Sequence, residues 1–169
     1  VGRITGSDMA QLLIVYHSRT GGSRQMAEAA AEAARDDAET ILKTADSAGP
    51  NDLLKADGYI FCAPENLAAI SGVMKDFFDR NYYPALGRIE GRPYALMVCA
   101  GSDGENAARQ MARIATGWRL KEVQPPLIIC THAQSPEAIL AAKTIPENQL
   151  GSCREIGAAM SAGLSLGIF

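Results

Sequence analysis

Five consecutive apolar residues, Leu12 to Tyr16 (LLIVY), run straight into the polar, glycine-bearing stretch HSRTGGS and then into an alanine-rich segment. No other feature constrains the fold as much. A short β-branched run without polar alternation is apolar on both faces, as a central strand of a parallel sheet must be. From Arg24 to Arg35 the period becomes helical, with Met26, Ala30 and Ala33 or Ala34 on one face. Small residues there predict a helix that packs closely on a sheet. Residues 1–8 carry no such pattern and precede Met9. They read as an upstream extension or cloning scar, so one domain is expected over 9–169.

The alternation continues along the chain. Glu39–Leu42 reads as a weaker strand and Asp57–Cys62 as a third. Ile70, Val73, Met74, Phe77 and Phe78 follow a helical period, with Lys75/Asp79 and Asp76/Arg80 spaced as i,i+4 charge pairs. Tyr94–Cys99 is the fourth strand. Ser102 and Glu105 have the spacing of a capping box before a helix marked by Ala107, Ala108, Met111, Ile114 and Ala115. The fifth strand comes in two pieces, Leu120–Val123 and Leu127–Cys130, around Pro125 and Pro126, which predicts a sheet edge. Ser135-Pro136 suits the start of a short helix. Cys153, Ile156, Met160 and Leu164 mark a last one. Strands alternating with helices mean an α/β parallel sheet covered on both faces.

Composition excludes several functions. Hydrophobic residues at 47% and charged residues at 21% are those of an ordinary globular chain. A net charge of −3 is wrong for a general nucleic-acid binder, which needs a basic surface. Cys62, Cys99, Cys130 and Cys153 are far apart, with no C-x-x-C, and His17 and His132 sit in no ligand cluster. Free thiols and no metal site are expected. No apolar window has the length an integral membrane segment needs, and a cytoplasmic location is expected.

The turn after the first strand carries the chemistry. Ser18, Thr20 and Ser23 offer hydroxyls, and Gly21 and Gly22 let a ligand approach the backbone. The turn leads into a helix N-terminus, where free amides and the dipole favour a phosphate. Arg19 lies beside that charge or points to solvent. The same residue types also build a plain turn with an N-cap. GxxxxGK[ST] and GxGxxG are both absent, so neither a triphosphatase loop nor a dinucleotide fingerprint is present.

IVYHSRTGGS resembles the phosphate-loop signature of flavodoxin-like proteins, [ST]-x-T-G-x-[ST] after a strand. From Cys62 to Arg80, CAPENLAAISGVMKDFFDR resembles the quinone-reductase branch of that superfamily, with Pro64, Ile70, Ser71, Gly72, Met74, Lys75, Phe77 and Asp79 matching at unchanged spacing. The resemblance covers about Met9 to Phe169. It implies a flavodoxin-like three-layer sandwich with a five-stranded parallel sheet in the order 2-1-3-4-5. It also implies FMN as cofactor, NAD(P)H as co-substrate, and flavin or quinone reductase activity by ping-pong hydride transfer to a small-molecule electron acceptor. The alternative is an electron carrier of flavodoxin type. Leu67 stands where that branch usually has an aromatic residue and Ala68 where it has glycine.

In an open α/β sheet, ligands sit outside the carboxyl ends of the strands. Three turns lie there: Ser18–Ser23, Pro64–Ala68 and Ala100–Glu105. The first suits the phosphate. The other two, Pro64, Glu65, Asn66, Leu67 and Ala68 with Ala100, Gly101, Ser102, Asp103, Gly104 and Glu105, can clamp a flavin ring through backbone groups. Glu65 and Asn66 contact flavin or substrate, or form a solvated loop. Asp103 and Gly104 read more readily as a turn than as ligands, and Trp118 as packing. His17 flanks the phosphate turn, and His132 is a lesser candidate proton donor. A homo-oligomer is expected, with Phe77 to Leu86, and Tyr82, Tyr83 and Pro84 beyond the helix, as the candidate contact; the alternative is that Phe77 and Phe78 pack inward and the tyrosines cover the same core.

Overall fold

The computed structural model describes residues 9–169, so the extension expected at 1–8 lies outside the described residues. The elements run β1 (Gln11–Tyr16), α1 (Gly22–Ala34), β2 (Glu39–Thr44), α2 (Pro50–Lys55), β3 (Gly58–Asn66), β4 (Ala69–Ile70), α3 (Gly72–Ala85), β5 (Pro93–Ala100), α4 (Glu105–Gly117), β6 (Lys121–Glu122), β7 (Leu127–Cys130), α5 (Pro136–Leu140) and α6 (Glu147–Leu166). The order β2-β1-β3-β5-β6 is parallel throughout, and β7 pairs with β5 further along. This is the expected flavodoxin-like order. The fifth strand is β6 and β7 in succession, broken around Pro125 and Pro126 because proline cannot donate to the ladder.

Side chains of the central strands alternate between two cores. Leu13, Val15, Tyr59 and Phe61 face α2, α3 and α4, among Leu53, Met74, Phe77, Met111 and Trp118. Leu12, Ile14, Ile60 and Cys62 face α1 and α6, among Met26, Ala30, Cys153 and Met160. The small residues of α1 have a reason: a Cβ on Gly157 of α6 would strike the backbone of Ala30. Bulk on either helix would force them apart.

Several details differ from the sequence expectations. The sheet has seven strands, because the fifth is split and β4 adds a short antiparallel arm to β3. Ile70 therefore belongs to β4, not to the helix that follows. Helix α2 has no counterpart among the sequence expectations, since six residues offer too little length for a helical period. The Ser102–Glu105 capping box does not form. Gly104 is the N-cap of α4 at φ 85°, and no side chain caps it. Glycine is required there, since a Cβ would lie 2.7 Å from Ile128. Tyr82, Tyr83 and Pro84 lie inside α3 rather than beyond it. Phe77 and Phe78 are buried in the core and Tyr82 stacks on buried Trp118, so of these aromatics only Tyr83 is exposed, at 78%. No helix among the described residues is long and apolar enough to cross a membrane.

Candidate functional site

A groove of about 410 Å³ opens at the carboxyl ends of the strands. Ser18, Arg19, Thr20, Gly22 and Ser23 line one end, and Pro64, Glu65, Asn66 and Leu67 one side. Cys99 and Ala100, at the end of β5, and Gly101 and Ser102 after it line the floor. The three turns named from sequence thus meet at one place. Gly21 faces a neighbouring cleft of about 660 Å³ on the other flank of the first turn, with His17, Arg24 and Asp46. Ala68, Asp103, Gly104 and Glu105 do not line the groove, and of these Gly104 is bonded to a residue that does, Glu65.

The first turn is shaped by glycine and by one serine. Gly21 ends the turn at φ 98° and is the N-cap of α1 without a side-chain cap. Ser18 Oγ instead accepts the Gly21 N–H at 3.0 Å. A Cβ on Gly22 would sit 2.5 Å from Cys99 Sγ, so the helix start lies directly on the floor of the groove. Ser23 is 1% exposed, and its Oγ has no hydrogen-bond partner. A buried hydroxyl without a partner is costly and calls for an explanation. Here it lines the groove at a helix N-terminus, where an anion would satisfy it.

The side of the groove is a hairpin. Glu65 pairs with Ile70 and Asn66 with Ala69, leaving Leu67-Ala68 as a two-residue turn. Leu67 has φ 50° and Ala68 φ 63°. Positive φ at both centres is the signature of a type I′ turn, which normally demands Asn-Gly. The hairpin is pinned to α4 and its approach at three points. Glu65 Oε2 accepts the Gly104 N–H at 2.6 Å, Asn106 Nδ2 donates to Ala68 O at 2.6 Å, and Gln110 Oε1 accepts the Ile70 N–H at 2.9 Å. Glu65 is therefore neither a free loop carboxylate nor solely a groove residue. The pinning helix residues carried a signal: Asn106 and Gln110 share one face at i,i+4.

The opposite wall was missed from sequence. Thr131, Ala133, Gln134, Ile139, Leu140 and Lys143 line the groove from the segment after β7. The rule that ligands gather at strand carboxyl ends applies to the fifth strand as well, and it was the available signal. Ser135 caps the helix in this wall as expected, its Oγ accepting from Ala138 N–H at 3.1 Å. Lys143 Nζ donates to the carbonyls of Ala138, Ile139 and Ala141, closing the other end of α5.

Burial pushes the Cys99 thiol up to about 11, so it is a protonated, neutral part of the floor. His17 flanks the turn, with Nδ1 2.8 Å from Ser71 Oγ. Burial holds its pKa below the ordinary value; Asp46 opposes this and Arg19 adds to it. His132 has φ 60° just beyond β7 and does not line the groove. The arrangement is one that binds: hydroxyls and amides at one end, aliphatic Leu67, Ile139 and Leu140 along the sides, and carbonyl and amide groups between.

Comparison with known proteins agrees with this geometry. The family model described as NADPH-dependent FMN reductase matches residues 50–134. A flavodoxin of Aquifex aeolicus is 40% identical over 98 residues, which is 57% of this chain and 53% of that protein. An NAD(P)H dehydrogenase (quinone) of Acidithiobacillus ferrooxidans is 35% identical over 114 residues, 53% of this chain and 56% of its own length. The chain thus spans about half the length of these curated relatives. Among solved structures, a flavodoxin from the domain Archaea superposes with a TM-score of 0.74 at 15% identity, covering 91% of this chain and 98% of its own.

Proposed function

The chain belongs to the NADPH-dependent FMN reductase family, and from that premise we propose that it binds FMN in the groove and acts as an NAD(P)H-dependent oxidoreductase. The observation that carries the reading is Ser23 Oγ, buried without a partner at the N-terminus of α1. A phosphate there would accept from Ser23, from Thr20 and from the free amides that open the helix. Pro64–Leu67 and Ala100–Ser102 would hold the ring from two sides through backbone groups. FMN, when bound, supplies the reversible electron transfer that the side chains of the groove do not.

The chain's own residues bind, orient and leave one side open. The mouth carries exposed Leu67, Ile139 and Leu140, which suits planar, largely apolar partners. NAD(P)H and a small acceptor, a quinone, flavin or similar molecule, would use that opening in turn, in a ping-pong exchange. The matches to a quinone dehydrogenase and to the family model support an enzyme. The open mouth also suits a homo-oligomer, which light scattering tests against the chain mass of 17.9 kDa.

The experiment is anaerobic addition of NADPH or NADH to the FMN-loaded protein. Rapid loss of the yellow absorbance, and its return on adding a quinone, is the expected result. Absorbance that persists with both nucleotides would refute the enzyme and leave an electron carrier of flavodoxin type; the Aquifex relative bears the name flavodoxin.

A further inference from the structure

Gln25, in the first turn of α1, has a side chain whose two ends are both committed. Its Nε2 donates to Gly21 O at 2.9 Å and to Lys143 O at 2.7 Å, and its Oε1 accepts the Ile145 N–H at 3.0 Å. Beside it, the Lys143 N–H donates to Thr20 O at 2.9 Å. These bonds join the phosphate turn to the wall that carries Ile139, Leu140 and Lys143. Gln25 and Lys143 are 118 positions apart in the chain. Nothing else in the proposed function uses this side chain.

The bonds fix more than distance. In a trans peptide the carbonyl and the following amide point to opposite sides. Gly21 O accepts the Gln25 backbone N–H at 3.1 Å as the first helical bond and Gln25 Nε2 as well, so the Gly22 N–H is directed away from it, out of the helix end. With Thr20 O held by Lys143 N–H, the Gly21 N–H is turned to Ser18 Oγ, where it is found at 3.0 Å. Both carbonyls are thereby kept out of the space where an anion would sit. A carbonyl dipole facing that space would repel a phosphate.

We propose that Gln25 is a positioning residue that makes the groove selective for a phosphate-bearing ligand. Its side chain holds Lys143 and Ile145 where the Lys143 N–H fixes the Thr20–Gly21 peptide plane, and so ties the turn to the opposite wall. This rests on the FMN reading above, with FMN as the phosphate ester and riboflavin as the same ring without phosphate.

The test is calorimetric titration of FMN and of riboflavin into the full chain, its Gln25→Met variant and its Gln25→Glu variant. Methionine keeps the length and removes all three bonds. Glutamate keeps the acceptor for Ile145 and sets a carboxylate against two carbonyls. Both variants should lose about 10-fold or more in FMN affinity on the usual worth of such bonds, with riboflavin affinity unchanged. An equal loss for both ligands would reduce Gln25 to general stability and overturn the proposal, as would no loss for either. Amide exchange of the wild-type chain without ligand gives an independent check. Ile145 and Lys143 should be protected in it, and free exchange at Ile145 would overturn the latch. A wild-type chain that binds neither ligand while Ile145 is protected would refute the FMN reading, and the phosphate role of Gln25 would fall with it.

Discussion

The carboxylate of Glu65 accepts the backbone N–H of Gly104 at 2.6 Å, and this one bond fastens the end of β3 to the turn that opens α4. Two sides of the groove are thereby held in register across 39 positions of chain. A bond from an amide to a charged acceptor contributes about 1.5–3 kcal/mol. Glu65→Ala should lower the melting temperature by about 3–12 °C at the usual scale for a chain of this size. Glu65→Gln retains an acceptor and should recover most of the loss. Equal melting of the wild type and Glu65→Ala would remove the bond from the account.

Ser23→Ala separates binding from folding. Its hydroxyl satisfies nothing in the protein itself, so removing it should leave the ligand-free melting temperature unchanged or slightly raised. FMN affinity should fall about 10- to 150-fold if the hydroxyl meets the phosphate. Thr20→Ala tests the neighbouring hydroxyl in the same titration. Unchanged FMN affinity in both would leave the backbone amides as the sole phosphate ligands.

The Leu67-Ala68 turn holds two non-glycine residues at positive φ. Left-handed backbone costs about 1–2 kcal/mol for an ordinary residue. Replacing the pair by Asn-Gly supplies the residues a type I′ turn prefers. We expect the double variant to be more stable by about 1 kcal/mol, read by urea denaturation. Since Leu67 is fully exposed and packs on nothing, a variant no more stable than the wild type would show that the positive φ values of this pair carry no strain.

Gly22 and Cys99 should be coupled. A methyl group on Gly22 would reach within 2.5 Å of Cys99 Sγ, so Gly22→Ala should cost about 1–3 kcal/mol through overpacking. Cys99→Ala removes that sulfur and should restore much of the loss in the double variant. A double-mutant cycle measures the coupling. Strict additivity would mean that the helix start gives way instead.

His17 predicts a pH dependence. Its pKa is held below the ordinary 6.5, first by burial, so the folded chain takes up this proton less readily than the unfolded chain. The contribution of His17 to stability is therefore complete above 6.5 and is lost as pH falls through the lower folded value. Denaturation series from neutral to mildly acidic pH should show a shallower slope in His17→Gln. Parallel curves for the two proteins would assign the pH dependence to other groups.

Much of this molecule was legible because its signals are local. The unbroken apolar run Leu12–Tyr16 identifies a strand buried on both faces, and Pro125 and Pro126 mark the broken edge strand. The glycines after β1 locate the turn that lines the groove. What went unread has no local signature. Nothing around Ser102 and Glu105 reveals that Glu65 will take the Gly104 amide and leave a glycine as N-cap. Phe77, Phe78 and Tyr82 are aromatic in a core and at a surface alike, and only their packing on Phe61 and Trp118 decides between the two readings.

The chain by itself determined the alternation of its main strands and helices, the parallel sheet and the place of the glycine turn after β1. Each follows from side-chain periodicity and backbone freedom within a few residues. Tertiary structure alone decided that Thr131–Lys143 forms the second wall, that a hairpin under strain forms the side, and that Gln25 joins turn to wall. These depend on which loops the crossovers bring to the same end of the sheet. Hydrogen bonds between residues 39 and 118 positions apart have no period or motif that a sequence displays.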